Sequence, residues 1–160
     1  MTCHQGVIVA VEDPQTPDAI LLLDELSDQL RLITGSSGKA SFDVNDVRGE
    51  RARFVIGRDS TGRPVGCGAL RPMEGSGNMA ELKRMYSRRT MAGIGAALLA
   101  YLEAQAQQLG YAALRLETRA VNTRAVAFYA RRGYTRIANF GRYVDRPEAV
   151  CFEKKLVAAK

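Results

Sequence analysis

Two short stretches hold the residue types and spacings that chemistry needs. In the first, residues 81–98 (ELKRMYSRRTMAGIGAAL), Gly93 and Gly95 open an amphipathic helix. The first peptide N–H groups of a helix lack internal partners and carry the positive end of its dipole. Glycine lets a ligand come close to that backbone, so a phosphate or pyrophosphate fits there. Gly-x-Gly alone reads equally well as tight packing of a helix on a sheet. The Lys-Ser/Thr pair of a P-loop is missing, which excludes ATP hydrolysis. In the second stretch, residues 116–134 (LETRAVNTRAVAFYARRGY), Asn122 and Tyr129 stand seven residues apart. That is about two helical turns, or ~10 Å, on nearly one face. A polar group opening a helix and a phenol two turns later can flank an extended ligand. The plainer reading of Tyr129 is a core aromatic with a satisfied hydroxyl.

Other chemistries lack their parts. His4 is the only histidine and lies beside the N-terminus, so a Ser-His-Asp triad is excluded. Cys3, Cys67 and Cys151 are odd in number and widely spaced, with no Cys-x-x-Cys. Neither a disulfide framework nor a zinc site is expected, and no metal. Catalysis here must run on carboxylates, tyrosines, cysteines, arginines or backbone groups.

The elements that position these stretches follow from pattern. Residues 6–11 (GVIVAV) read as a buried strand, stopped by Glu12-Asp13-Pro14. Thr16-Pro17 reads as an N-cap with proline in the first turn. Leu22, Leu26, Leu30 and Ile33 then keep helical spacing as far as Gly35, a C-cap. Residues 35–49 form a polar loop, with at most one short helical turn. Strands over 52–57, 64–70 and 79–86 are separated by tight turns and predict an antiparallel meander. A helix over 93–110, a strand over 113–118 and a helix from Asn122 to Gly133 come next. Strands over 134–138 and 149–156 close the chain. The order β-α-β-β-β-α-β-α-β-β predicts an α/β fold with a mixed, mostly antiparallel sheet of about seven strands, flanked by helices.

Length and composition fit one domain spanning 1–160. Hydrophobic residues make up 46% and charged residues 25%, which excludes wholesale disorder. The longest apolar run near a helix, Ala19–Leu23, is far below the ~20 residues a membrane span needs. Residues 1–6 lack a basic start followed by an apolar run, so a cytoplasmic protein without membrane contact is expected. Charge is uneven: residues 1–80 carry a net −3 and residues 81–160 a net +9, within the +6 of the whole chain. A basic half suits a polyanion, a phosphate-bearing cofactor included.

The two stretches together resemble the GNAT N-acetyltransferase family. Residues 81–86 resemble that family's fourth strand, and Gly93-Ile94-Gly95-Ala96-Ala97-Leu98-Leu99 its glycine loop and following helix. Asn122-Thr123-Arg124-Ala125-Val126-Ala127-Phe128-Tyr129, with Gly133-Tyr134 beyond, resembles its Asn-x-x-Ala-x-x-Phe-Tyr…Gly-Phe/Tyr signature. The likeness covers roughly residues 50–136. It implies acetyl-CoA lying between two diverging strands, held by Met85, Tyr86 and Ser87, by the loop residues Met91, Ala92, Gly93, Ile94, Gly95 and Ala96, and by Asn122, Ala125 and Tyr129. Tyr129 is implied as the general acid toward the CoA sulfur, and Glu81 as the base, directly or through water. The loop departs from the family pattern: Thr90 stands where Arg or Gln usually leads, Met91 where a glycine is frequent, and the stretch after Tyr86 is about two residues short. Arg88 and Arg89 are the candidates to supply the missing charge.

The acceptor implied is a small-molecule or peptide amine. Asp24, Glu25 and Asp28, the loop around Phe42 to Asp46, and residues 139–143 are expected on its side, and a homodimer is compatible with the family. A noncatalytic acyl-CoA-binding module is the alternative. A nucleic-acid partner is disfavoured, because Trp is absent and the aromatics are not interleaved with the arginines.

Overall fold

The computed structural model describes residues 2–4, 6–73, 75 and 77–157. Its frame is one sheet of eight strands: β1 (Thr2–His4), β2 (Val7–Val11), β3 (Arg53–Arg58), β4 (Pro64–Pro72), β5 (Met79–Ser87), β6 (Ala113–Arg119), β7 (Thr135–Ile137) and β8 (Ala149–Lys155). In space they run β1-β2-β3-β4-β5-β6-β8-β7. Every neighbouring pair is antiparallel except β5 and β6, which are parallel. The expected mixed, mostly antiparallel sheet is present, with one strand more than the pattern predicted. β1 is three exposed residues paired to β2, with Thr2 opposite Val9. A strand buried on neither face leaves no alternation to read.

Three helices cover the sheet. α1 (Pro17–Thr34) starts where Thr16 accepts the Ala19 N–H and ends where the N–H of Gly35 reaches the Arg31 carbonyl. α2 (Ile94–Gln108) and α3 (Thr123–Arg131) lie on the opposite face, and the Asn122 side chain caps α3 by accepting the Ala125 N–H at 3.3 Å. The period-two alternation of the strands divides the core. Val7, Val9, Val55, Leu70 and Leu82 pack on Ile94, Leu98 and Leu102 of α2. Phe54, Ile56, Cys67 and Ala69 face Ala19 and Leu22 of α1. The loop between α1 and β3 contains two short 3-10 turns, at Lys39–Ser41 and Val44–Val47, rather than one at most. No helix among the described residues is long and apolar enough to cross a membrane.

Candidate active site

The parallel pair opens a cleft. β5 and β6 pair only where Met79, Ala80 and Glu81 face Ala113, Leu114 and Arg115. Beyond that, β5 stays with β4 as far as Ser87, and β6 stays with β8 as far as Arg119. The strands therefore part toward their carboxyl ends, where open sheets bind ligands. A bulge adds to the bend. The β4–β5 register slips between Cys67 and Ala69, and Arg84 opposite takes φ 55, the only non-glycine residue at positive φ among those described.

A groove of about 400 Å³ runs along this opening between β5 and the first turns of α2 and α3. Every residue expected to hold the cofactor lines it, joined by Gln29 and Ile33 of α1, by Arg124, Phe128 and Arg131 of α3, and by Arg132 at its C-cap. The two glycines act differently. Gly93 is the N-cap of α2 at φ 86, and no side chain caps that end, so the first N–H groups face the groove uncapped. Gly95 is a close-approach site: a Cβ there would stand 3.2 Å from both the Phe128 ring and the Ser87 Oγ. An uncapped helix start, a cradle that a side chain would fill and a basic rim fit a pyrophosphate-bearing cofactor.

The two arginines before the loop differ as well. Arg88 is turned inward: Nε donates to Glu25 Oε1 at 2.9 Å, Nη2 to Glu25 Oε2 at 2.5 Å, and Nη1 to the Pro64 carbonyl at 2.8 Å. Tyr86 donates its hydroxyl to the same Glu25 carboxylate at 2.9 Å. The Arg88 hydrogen bonds hold the Glu25 carboxyl below its usual range, while burial and Glu25 push the Tyr86 phenol up to about 12. Glu25, expected near the acceptor, lines neither cavity and instead holds Arg88 and Tyr86 of the groove wall. Asp28 pairs with Arg31 on the exposed face of α1.

A second pocket, of about 180 Å³, lies on the α1 side of the cleft. Leu26, Leu30, Leu82 and Leu116 contribute apolar surface; Lys83, Arg84, Glu117, Arg119, Arg142, Tyr143 and Arg146 are among its polar residues. Met85, Asn122, Ala125 and Tyr129 line both cavities, so the two meet there. Tyr129 is 7% exposed and ringed by Phe128, Tyr134 and Phe152. That burial raises its phenol, which stays protonated at neutral pH.

Glu81 is not brought to the junction with Tyr129. It is buried behind the pocket, held by Arg71 at 3.1 Å and by Lys83 at 3.7 Å, and accepts from the Tyr143 hydroxyl at 3.3 Å. The carboxylate on the pocket wall is Glu117, on the face of β6 turned away from α2. Burial is the first cause that raises its pKa, and the positive charges of Arg119, Lys83 and Arg146 oppose the rise. Its Oε2 accepts no hydrogen bond, with Arg119 Nε standing 3.6 Å away. The signal for it was present in the sequence: Leu114 and Leu116 alternate toward the core, which turns Arg115, Glu117 and Arg119 to the other face.

The comparisons agree with this architecture. The model of the Acetyltransferase (GNAT) family matches residues 22–134. The chain belongs to the GNAT acetyltransferase family, and so to the acyltransferases. Among its relatives, an IAA acetyltransferase of Azospirillum brasilense is 32% identical over 153 residues, which is 94% of this chain and 99% of that protein. A Klebsiella pneumoniae structure described as an acyl-CoA N-acyltransferase is 29% identical, with a TM-score of 0.80 over 94% of this chain and 98% of that one. The Escherichia coli ribosomal-protein-S18-alanine N-acetyltransferase is 19% identical and shares the fold, with a TM-score of 0.66 over 96% of each chain.

Proposed function

We propose that this protein transfers an acetyl group from acetyl-CoA directly to a primary amine. The observation that carries the reading is the meeting of a long basic-rimmed groove and a small pocket at one buried tyrosine. The groove would hold the cofactor. The start of α2 at Gly93 to Ala96 would take the pyrophosphate, the exposed edge of Met85 to Ser87 the pantetheine arm, and Asn122 and Ala125 the turn toward the junction. Asn122 Oδ1 is already engaged as the α3 cap. Acetyl-CoA, when bound, supplies a thioester acyl group and a thiol leaving group.

The chain's own residues manage the protons. The acceptor enters the pocket as an ammonium ion and must lose a proton before its nitrogen is nucleophilic. Glu117, rather than Glu81, is the base we assign: it lines the pocket, its Oε2 has no hydrogen-bond donor, and burial makes it more basic than an ordinary carboxylate. As the N–C bond forms and the C–S bond breaks, Tyr129 gives its proton to the departing sulfur, and the surplus proton on the acetylated nitrogen returns to the phenolate. Glu81, Arg71 and Tyr143 position the wall that carries Lys83.

The test is a panel of primary amines with acetyl-CoA, following release of the CoA thiol, beside thermal melts with the cofactor. Turnover with a raised Tm is expected. A raised Tm without thiol release from any amine would favour the noncatalytic acyl-CoA-binding alternative. An unmoved Tm at millimolar cofactor would remove both.

A further inference from the structure

The pocket beyond Tyr129 has a charge pattern that a simple amine does not match. Five cationic side chains line it against one carboxylate. Arg119 is held by Glu148 at 3.0 Å, and Lys83 by Glu81 at 3.7 Å. The hydrogen bonds of Arg84, by contrast, end on neutral oxygens: Nη2 reaches Ser27 Oγ at 2.7 Å and Nη1 the Ser37 carbonyl at 3.1 Å. Arg142 likewise donates to the Ala40 carbonyl at 3.0 Å. A low-dielectric wall with uncancelled positive charge repels a bare ammonium ion and attracts an anion.

A second observation points the same way. Among the described residues, two buried side-chain atoms have no hydrogen-bond partner: Arg84 Nε, a donor, and Glu117 Oε2, an acceptor. Both residues line this pocket. Buried polar atoms left unmet cost about 1–3 kcal/mol each, so such atoms call for an occupant. One of them suits a carboxylate and the other an ammonium group. Arg84 is itself 9% exposed and fixed at φ 55 in the bulge, so its guanidinium is held on the pocket wall.

We infer that the acceptor is a small aminocarboxylate, a free amino acid or close relative, with an apolar side chain. Its carboxylate is taken by Arg84, with Arg142 and Arg146 adding positive charge; its amine sits at Glu117 beside Tyr129. Leu26, Leu30, Leu82 and Leu116 leave an apolar wall for the side chain. At about 180 Å³ the pocket is below the ~300–1,000 Å³ of drug-sized ligand sites, and suits a molecule of this size. The inference rests on the acyl-transfer reading and narrows its substrate.

The experiment changes the substrate first, so that folding is not in question. Apolar amino acids, their primary amides and their decarboxylated amines are compared with acetyl-CoA by thiol release. The expected kcat/KM for the acids exceeds that for amides and amines by about 100-fold, because removing the anion leaves the buried cation unmatched. Arg146→Gln and Arg142→Gln should each raise KM for the acids several-fold and leave KM for acetyl-CoA unchanged. Arg84→Met should abolish the preference for acid over amide; a change in its Tm shift with acetyl-CoA would mark a misfolded variant, in which case the substrate comparison and the Arg142 and Arg146 variants decide. Amides or amines used as well as acids would overturn the inference and leave acyl transfer standing. No turnover of any aminocarboxylate would overturn it too, and the Tm shift in the same samples would tell whether cofactor binding fell with it.

Discussion

Arg88 and Arg89 are adjacent in sequence and should fail in different ways when removed. Arg88 makes a two-point contact with Glu25 and a third hydrogen bond to the Pro64 carbonyl, joining α1 to the end of β5. Unit charges about 4 Å apart attract by about 4 kcal/mol at an effective dielectric near 20, but desolvation and side-chain ordering reduce exposed pairs to ~0.2–1 kcal/mol. These two side chains retain 25% and 29% exposure, so screening is incomplete and the pair is worth about 1–2 kcal/mol. At roughly 2–4 °C per kcal/mol for a chain this size, Arg88→Ala should lower Tm by about 2–8 °C. Glu25→Gln should do nearly the same, and the double variant little more than either, because both remove one interaction. KM for acetyl-CoA should move less than about 3-fold in Arg88→Ala, its head being committed to Glu25. Arg89→Ala should leave Tm within about 1 °C. It should raise KM for acetyl-CoA by ~5–10-fold at low salt with kcat unchanged, an effect that shrinks as salt screens charges beyond ~8–10 Å. Melting curves and initial rates at two ionic strengths measure all of this. A tenfold rise in KM for Arg88→Ala at unchanged Tm, with Glu25→Gln additive to it, would refute the assignment.

Tyr129→Phe keeps the ring contacts with Phe128, Tyr134 and Phe152, so the cofactor-induced Tm shift should survive while kcat falls about 10²-fold; an unchanged kcat under chemistry-limited conditions would make Tyr129 a core aromatic only. Burial raises the Glu117 pKa, so its basic form is lost as pH falls through a value above the ordinary 4.5, and kcat/KM should show an acid limb displaced upward to match. Glu117→Gln should remove that limb and lower kcat at least about 10²-fold. It should also raise Tm at pH 7, because an ionised group with a raised folded pKa destabilises the native state above that pKa; the gain should vanish below the unfolded carboxylate pKa, near ~4. A lower Tm at pH 7, or an acid limb unchanged by the substitution, would exclude Glu117 as the base. Gly95→Val places branches where a Cβ already stands 3.2 Å from Phe128 and Ser87, so the start of α2 must shift and KM for acetyl-CoA should rise more than in Arg89→Ala; an unchanged KM would show that the cofactor does not use this helix end.

Local signals made the groove legible. Thr16-Pro17, Gly35, Gly93 and Asn122 are helix boundaries whose side chains or positive φ set the termini, and the structure has α1, α2 and α3 starting or stopping at them. Apart from Gln29 and Ile33 of α1, the groove residues lie in two runs of sequence, so a motif can carry them together. The small pocket has no such continuity: α1 supplies leucines, β5 and β6 charged residues, and the turn at Gly141–Tyr143 with its flank supplies Arg142, Tyr143 and Arg146. Only the sheet order, with β8 inserted between β6 and β7, brings that last turn to the cleft.

The choice between Glu81 and Glu117 shows what the strand pattern omits. Strict alternation along β5 puts Glu81 and Lys83 on the face away from α2, and Glu117 of β6 on that same face, so pattern alone offers two carboxylates on one side of the sheet. Two later facts separate them. Glu81 lies where β5 and β6 still pair, opposite Arg115, and is covered by Arg71 and Tyr143. Glu117 lies two residues past the last pair, where the strands have parted and a pocket can reach it. The bulge at Arg84 then breaks the alternation of β5, so Arg84 joins Lys83 and Met85 on the pocket wall. Glu117 reaches the pocket by standing beyond the fork in the sheet, and the position of that fork is set by pairing between residues 34 apart in sequence, which no single segment encodes.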